Sequence, residues 1–184
     1  MYVIDYVILA CWVAFWVYWL AASVNAKAAA QGRTGRLVGD RVVLIFVIIL
    51  LARSGLFKGH SGTVNDPVLQ GIGMAVFFMG LALAIWARVC LGTNWGTPMS
   101  EKVDAELVMT GPYRRIRNPI YSGIILATIG TSIAVGVFWL VAVVVMGSYF
   151  VYSCFVEERI MARLFPETYP QYKQSTKRLI PYIF

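Results

Sequence analysis

Polar and apolar positions alternate along this chain in long blocks rather than with the short period of an amphipathic helix. Residues Tyr6 to Ala26 contain no charged side chain, a run of 21. About 20 apolar residues are enough for a helix to cross a bilayer core. The segment before the run carries Asp5 and no Lys or Arg. A signal peptide would open on positive charge, so the pattern predicts a retained span. A second run is uncharged only from Val42 to Ala52, but Leu37 to Phe57 gives a span with Asp40, Arg41 and Arg53 near its ends. Long Arg side chains reach the interface from such positions. A third run, Pro67 to Ala87, starts on a proline suited to a helix's first turn. The fourth is uncharged from Asn118 to Val156, 39 residues. As one helix it would be about 58 Å long, roughly twice the hydrocarbon thickness. It is predicted to fold back near Gly130-Thr131-Ser132 to Gly136 as a hairpin of two spans.

The expected fold class is therefore an all-α integral membrane protein of about five transmembrane helices with a C-terminal helical hairpin. Residues 1–184 read as one membrane domain, with N-terminal spans in 1–66 and a core in 67–184. Composition agrees: 59% of residues are hydrophobic and 14% charged. A soluble chain of this length has too little interior to bury that much apolar surface. This excludes a soluble enzyme, a disordered chain and a nucleic-acid-binding domain.

Charge supplies an orientation. With the N-terminus outside, 14 of the 16 Lys and Arg residues fall in inner segments; the outer loop keeps Arg53 and Lys58. The positive-inside rule then places the C-terminus in the cytoplasm. Cys11, Cys90 and Cys154 are far apart and odd in number, and His60 is the single histidine. Neither a disulfide framework nor a metal site follows from them.

Distinctive polar residues gather in two segments. One holds Ala105-Glu106-Leu107-Val108, Gly111-Pro112-Tyr113 and Arg117-Asn118-Pro119-Ile120-Tyr121; the other runs from Glu157-Glu158 through Phe165-Pro166 to Tyr169 and Tyr172. Singly, the Gly-Pro and Asn-Pro pairs are turn signals, the arginines interfacial anchors and the tyrosines belt aromatics. Together, from Leu91 to Tyr182, their order and spacing resemble the isoprenylcysteine carboxyl methyltransferase family of membrane methyltransferases.

That resemblance implies S-adenosylmethionine as cofactor, bound at a cytoplasmic pocket by Ala105, Glu106, Leu107, Val108, Tyr113, Asn118, Pro119, Ile120, Tyr121 and Glu157. It implies a membrane lipid or lipid-linked methyl acceptor, first of all an isoprenylcysteine-like carboxylate. Methyl transfer by in-line displacement rests on positioning and needs no metal. Glu157 and Arg117 are the expected catalytic pair. Glu157 would accept a hydrogen bond from the cofactor's ammonium or ribose. Arg117 would orient the acceptor, or would instead anchor the helix or pair with Glu157 or Glu158.

Three positions depart from the family pattern. Asn118 stands where a His is usual, Pro166 where a Gly is usual, and Ser153 where eukaryotic members carry a substrate-binding Arg. The departure at Ser153 keeps an amine-bearing phospholipid acceptor in view, with Glu157 or Glu158 taking the proton. A nicotinamide-dependent membrane reductase and a non-catalytic membrane module are the remaining alternatives.

Overall fold

Where helices with little polarity must associate inside lipid, close backbone approach replaces hydrophobic burial as the main attraction. The glycines here are placed for it. A computed structural model describes residues 3–23, 63–94 and 106–184. The helices are α1 (Val3–Ser23), α2 (Pro67–Leu91), α3 (Pro119–Val135), α4 (Leu140–Leu164) and a short α5 (Tyr169–Ser175). Among the described residues there is no strand, only isolated bridges joining Thr63 to Gly136 and Ile116 to Lys177. By length and composition, Pro67–Leu91 and Val137–Leu164 are long and apolar enough to cross a membrane; Val3–Trp19 and Pro119–Val135 are shorter apolar helices. The predicted second span, Leu37 to Phe57, lies outside the described residues, as does His60.

Helix α2 starts where the sequence predicts. The Asp66 carboxylate accepts from the Val68 and Leu69 amides at 2.8 and 3.4 Å, and Pro67 fills the first helical position. The hairpin is also present, with its turn at Gly136 and a single 3₁₀ turn, Val137–Trp139, leading into α4. Gly130 to Ser132, the earlier part of the expected turn region, are helical and buried.

Their burial has a packing cause. Antiparallel α2 and α3 meet along Gly73, Gly80 and Ala84 on one side and Gly123, Ala127, Gly130 and Ala134 on the other. A β-carbon on Gly73 would lie 2.5 Å from the Ala134 amide nitrogen, and one on Gly123 would lie 2.6 Å from the Gly80 carbonyl oxygen. Phe77, fully buried, lies against Gly130. Helix α1 adds an aromatic layer: Trp12 meets Phe77 edge-on at 5.7 Å and donates its indole N–H to Thr131 Oγ1 at 3.2 Å. Buried hydroxyls on α3 and α4 turn back to their own helix. Thr128 bonds to the Ile124 carbonyl at 2.8 Å and Ser153 to the Tyr149 carbonyl at 2.9 Å. The outward faces of α1 and α4 stay apolar and exposed, as at Val17 and Val144.

This packing brings the last turns of α2 and α4, the first turn of α3 and the C-terminal tail to one end. Every described Lys and Arg lies at that end. Asp66 caps α2 at the other.

Candidate active site at the basic end of the bundle

The approach to α3 is a tight 3₁₀ turn, Gly111–Arg114. Gly111 has φ of +58°, and a β-carbon there would lie 2.5 Å from Cys90 Sγ, so two independent constraints exclude a side chain. The turn buries Tyr113 and places Asn118 before Pro119, the first residue of α3. The tail then runs beside this segment. Arg117 and Asn118 amides donate to the Lys177 and Arg178 carbonyls at 2.8 and 3.1 Å, and the Lys177 amide returns to the Arg115 carbonyl at 3.0 Å. The Asn118 side-chain amide adds a bond to the Arg178 carbonyl at 3.2 Å, and Ser122 Oγ one to the Leu179 carbonyl at 2.6 Å.

Glu157 and Glu158 are adjacent on α4, so they project about 100° apart and reach different surroundings. Half-buried Glu157 faces α3, where the Tyr121 hydroxyl donates to its Oε1. The Tyr121 ring is itself held, stacked on Phe150 with centroids 4.6 Å apart. Buried Glu158 faces the tail. It accepts from Arg117 Nη2 at 3.0 Å, from Arg178 Nε at 2.7 Å and from Lys173 Nζ at 3.2 Å. Arg117 spends its other donors nearby as well, with Nη1 bonding the Lys173 and Thr176 carbonyls.

The phenols around these carboxylates stay protonated. Burial, reinforced by the Glu157 charge, pushes the Tyr113 hydroxyl well above its ordinary range. Burial pushes Tyr172 up to about 12, although Arg117 pulls the other way. They are therefore neutral donors at physiological pH. Tyr172 uses its proton on the Tyr113 carbonyl at 2.8 Å, which ties α5 to the turn before α3.

The structure thus brings together Tyr113, Asn118, Pro119, Ile120, Tyr121, Glu157 and Arg117 from the expected set. Leu107 and Val108 are half-buried, and Val108 packs on the apolar core. Glu106 accepts a hydrogen bond from Asn94 Nδ2 at 3.1 Å, just past the end of α2. Ala105 lies outside the described residues. Ser153, one turn before Glu157, is fully buried between helices. Pro166 follows directly on the end of α4: Phe165 leaves the helical region, as a residue before proline does, and its carbonyl accepts from the Tyr169 amide at 2.9 Å.

Sequence reasoning did not single out Lys173, Thr176 or Arg178. Their signal was faint, a Lys173–Lys177–Arg178 spacing indistinguishable from ordinary interfacial anchors.

Comparison with known proteins decides the family. The phospholipid methyltransferase profile matches residues 69–168, from the start of α2 to the end of α4 and just beyond. The chain belongs to the phospholipid methyltransferase family. Its relatives include the cobalt-zinc-cadmium resistance protein CzcN of Cupriavidus metallidurans, 29% identical over 146 residues, a match covering 77% of this chain and 61% of that protein. The nickel-cobalt-cadmium resistance protein NccN of Alcaligenes xylosoxydans xylosoxydans is 24% identical, covering 85% and 71%. The fold is shared with the eukaryotic intramembrane Ras methyltransferase ICMT (isoprenylcysteine carboxyl methyltransferase), with a TM-score of 0.57 and 22% identity over 85% of this chain and 55% of that one. The chain thus spans about three fifths of the first relative and just over half of the structural neighbour. Within this family the profile ends before the tail that encloses Glu158.

Proposed function

We propose that the protein transfers a methyl group from S-adenosylmethionine to a membrane-embedded lipid or lipid-linked acceptor. The observation that carries this reading is Glu157, half-buried at the joint of α3 and α4, aligned by Tyr121, and inside the segment that defines the family. When bound, the cofactor supplies an electrophilic methyl group on a sulfonium centre. The residues present suit it. Glu157 offers an acceptor for an ammonium or ribose hydroxyls, and the Tyr121 hydroxyl holds that carboxylate in one orientation. Tyr113, Asn118, Pro119 and Ile120 would complete the same region from the start of α3, with Glu106, Leu107 and Val108 on the segment leading into it. A pre-positioned surrounding favours displacement by holding the reacting atoms in line.

The allocation of cations bears on the acceptor. Arg117 is committed to Glu158 and the tail, and Ser153 offers no charge. Both facts favour an amine-bearing lipid over an isoprenylcysteine-like carboxylate, and Glu157 would take the proton the amine loses. On this reading Arg117 is a positioning residue that holds the start of α3. The carboxylate acceptor is the second reading, supported by the shared fold. The basic end, with the C-terminus, faces the cytoplasm.

One experiment tests these points together. Sealed vesicles containing the protein are incubated with methyl-labelled S-adenosylmethionine added to one face and a membrane lipid extract. Label is expected in the lipid fraction only when cofactor meets the cytoplasmic face, and an N-methyl product resists mild base whereas a methyl ester does not. Absence of labelled lipid from either face, with protein intact, overturns the reading; retention of NADPH in its place supports a reductase.

A further inference from the structure

Beyond the Glu157 region, the tail forms a concavity of about 260 Å³. Four cationic side chains line it, Arg117, Lys173, Lys177 and Arg178, and the apolar Ile183 and Phe184 complete the wall. Glu158 is the carboxylate that Arg117, Lys173 and Arg178 share. Among the lining side chains, four cations are set against the one carboxylate of Glu158, and like charges held this close repel unless a further anion joins them.

The donors left over point to what that anion is. Arg178 bonds Glu158 through Nε and Nη2, while its plane is held between the rings of Phe155 at 4.0 Å and Phe184 at 5.0 Å. Its Nη1 is thereby fixed in direction with no bond among the described residues. Lys173 makes one bond and is half exposed, and the Lys177 ammonium has no side-chain partner among the described residues. A held guanidinium edge beside two exposed ammonium groups matches the several oxygens of a phosphate.

The surroundings point to a lipid as its source. Tyr182 and Ile183 are 78% and 77% exposed beside the cavity, at the basic end of the bundle. An apolar rim next to a cationic pocket is the arrangement that meets an anionic head group at a membrane surface. Glu157 and Tyr121 do not line the pocket, and most of its lining lies beyond residue 168, where the family profile stops.

We propose that this pocket binds the phosphate of an anionic phospholipid head group and so docks the tail on the membrane surface, separately from methyl transfer. The test follows the thermal unfolding of the full chain in nonionic detergent as phosphatidylglycerol, phosphatidylcholine or inorganic phosphate is added. Phosphatidylglycerol is expected to stabilise the wild type and phosphatidylcholine to have little effect. Lys173→Gln with Lys177→Gln should weaken the apparent affinity for phosphatidylglycerol about tenfold or more, as loss of charge-assisted bonds does. Lys177→Gln alone should weaken it in the same direction, and because the Lys177 side chain is exposed and its backbone bonds survive the change, the fold should be retained. Arg115→Gln, exposed at the same end but outside the pocket, should not. Equal affinity in the lysine variants, or equal weakening by Arg115→Gln, overturns the site. Equal stabilisation by phosphatidylcholine, or by inorganic phosphate alone, overturns the assignment to an anionic lipid.

Discussion

Helix α3 is held twice, by opposite means. Along its length it meets α2 with almost no side chain between the backbones, because Gly73, Gly80, Gly123 and Gly130 leave room for direct contact. At its first turn it is held by charge: Arg117 reaches Glu158, and the tail pairs with its backbone. The glycine seam gains many weak dispersion contacts that need only a close fit. The polar joint gains few, strong and directional contacts, and it depends on every partner being present. The first sets how closely α2 and α3 approach; the second decides which carboxylate is left to face α3. Glu158 is consumed in holding the tail, which leaves Glu157 beside Tyr121.

The strongest way to break this contrast is at the joint. Glu158→Ala should destabilise the fold by about 3–5 kcal/mol, because it strands the Arg117 and Arg178 charges in a largely buried setting. Chemical unfolding in detergent measures the loss, and proteolysis near Lys173 should accelerate. A change under about 1 kcal/mol would show that the arginines do not depend on Glu158.

Its neighbour should behave differently. Glu157→Gln should leave unfolding nearly unchanged and weaken S-adenosylmethionine binding ten- to hundredfold, about 1.5–3 kcal/mol for a charge-assisted bond. Calorimetric titration distinguishes the two. Wild-type affinity in this variant would remove Glu157 from the cofactor region, and a stability loss matching Glu158→Ala would erase the proposed division between them.

The seam is sharpened by two alanine substitutions on one helix. Gly80→Ala presses a methyl into the Ala127 backbone and should cost about 1–3 kcal/mol. At Gly71 a β-carbon meets nothing within 4 Å, so Gly71→Ala should be stabilising by about 0.5–1 kcal/mol. Thermal unfolding of the pair checks the sign; two equal shifts would mean that close backbone approach is not what joins α2 to α3.

Much of this architecture is legible in the chain. Uncharged runs of membrane-spanning length mark α1, α2 and the hairpin, because a hydrocarbon environment tolerates neither charge nor unpaired backbone there. Pro67 and Pro119 mark two helix starts, and Gly111, Tyr113, Asn118-Pro119, Tyr121 and the Glu157-Glu158 pair mark the segment that carries the family signature. The turn of the hairpin was less legible. Gly130 and Gly136 look alike in sequence, yet one is pressed on Phe77 inside a helix and the other ends it.

What the sequence by itself determined is the all-helical membrane class, the family and the residue types brought to the basic end. Hydropathy and local turn chemistry act over a few residues, so they can be read locally. Only the tertiary structure decided the division of labour between two adjacent glutamates, the commitment of Arg117, and the pocket made by Lys173, Lys177 and Arg178. Those outcomes depend on about 100° of helix rotation and on a tail that returns some sixty residues later to the start of α3. No local pattern encodes which charge meets which across that distance; the packing of α3 against α4 and the tail does.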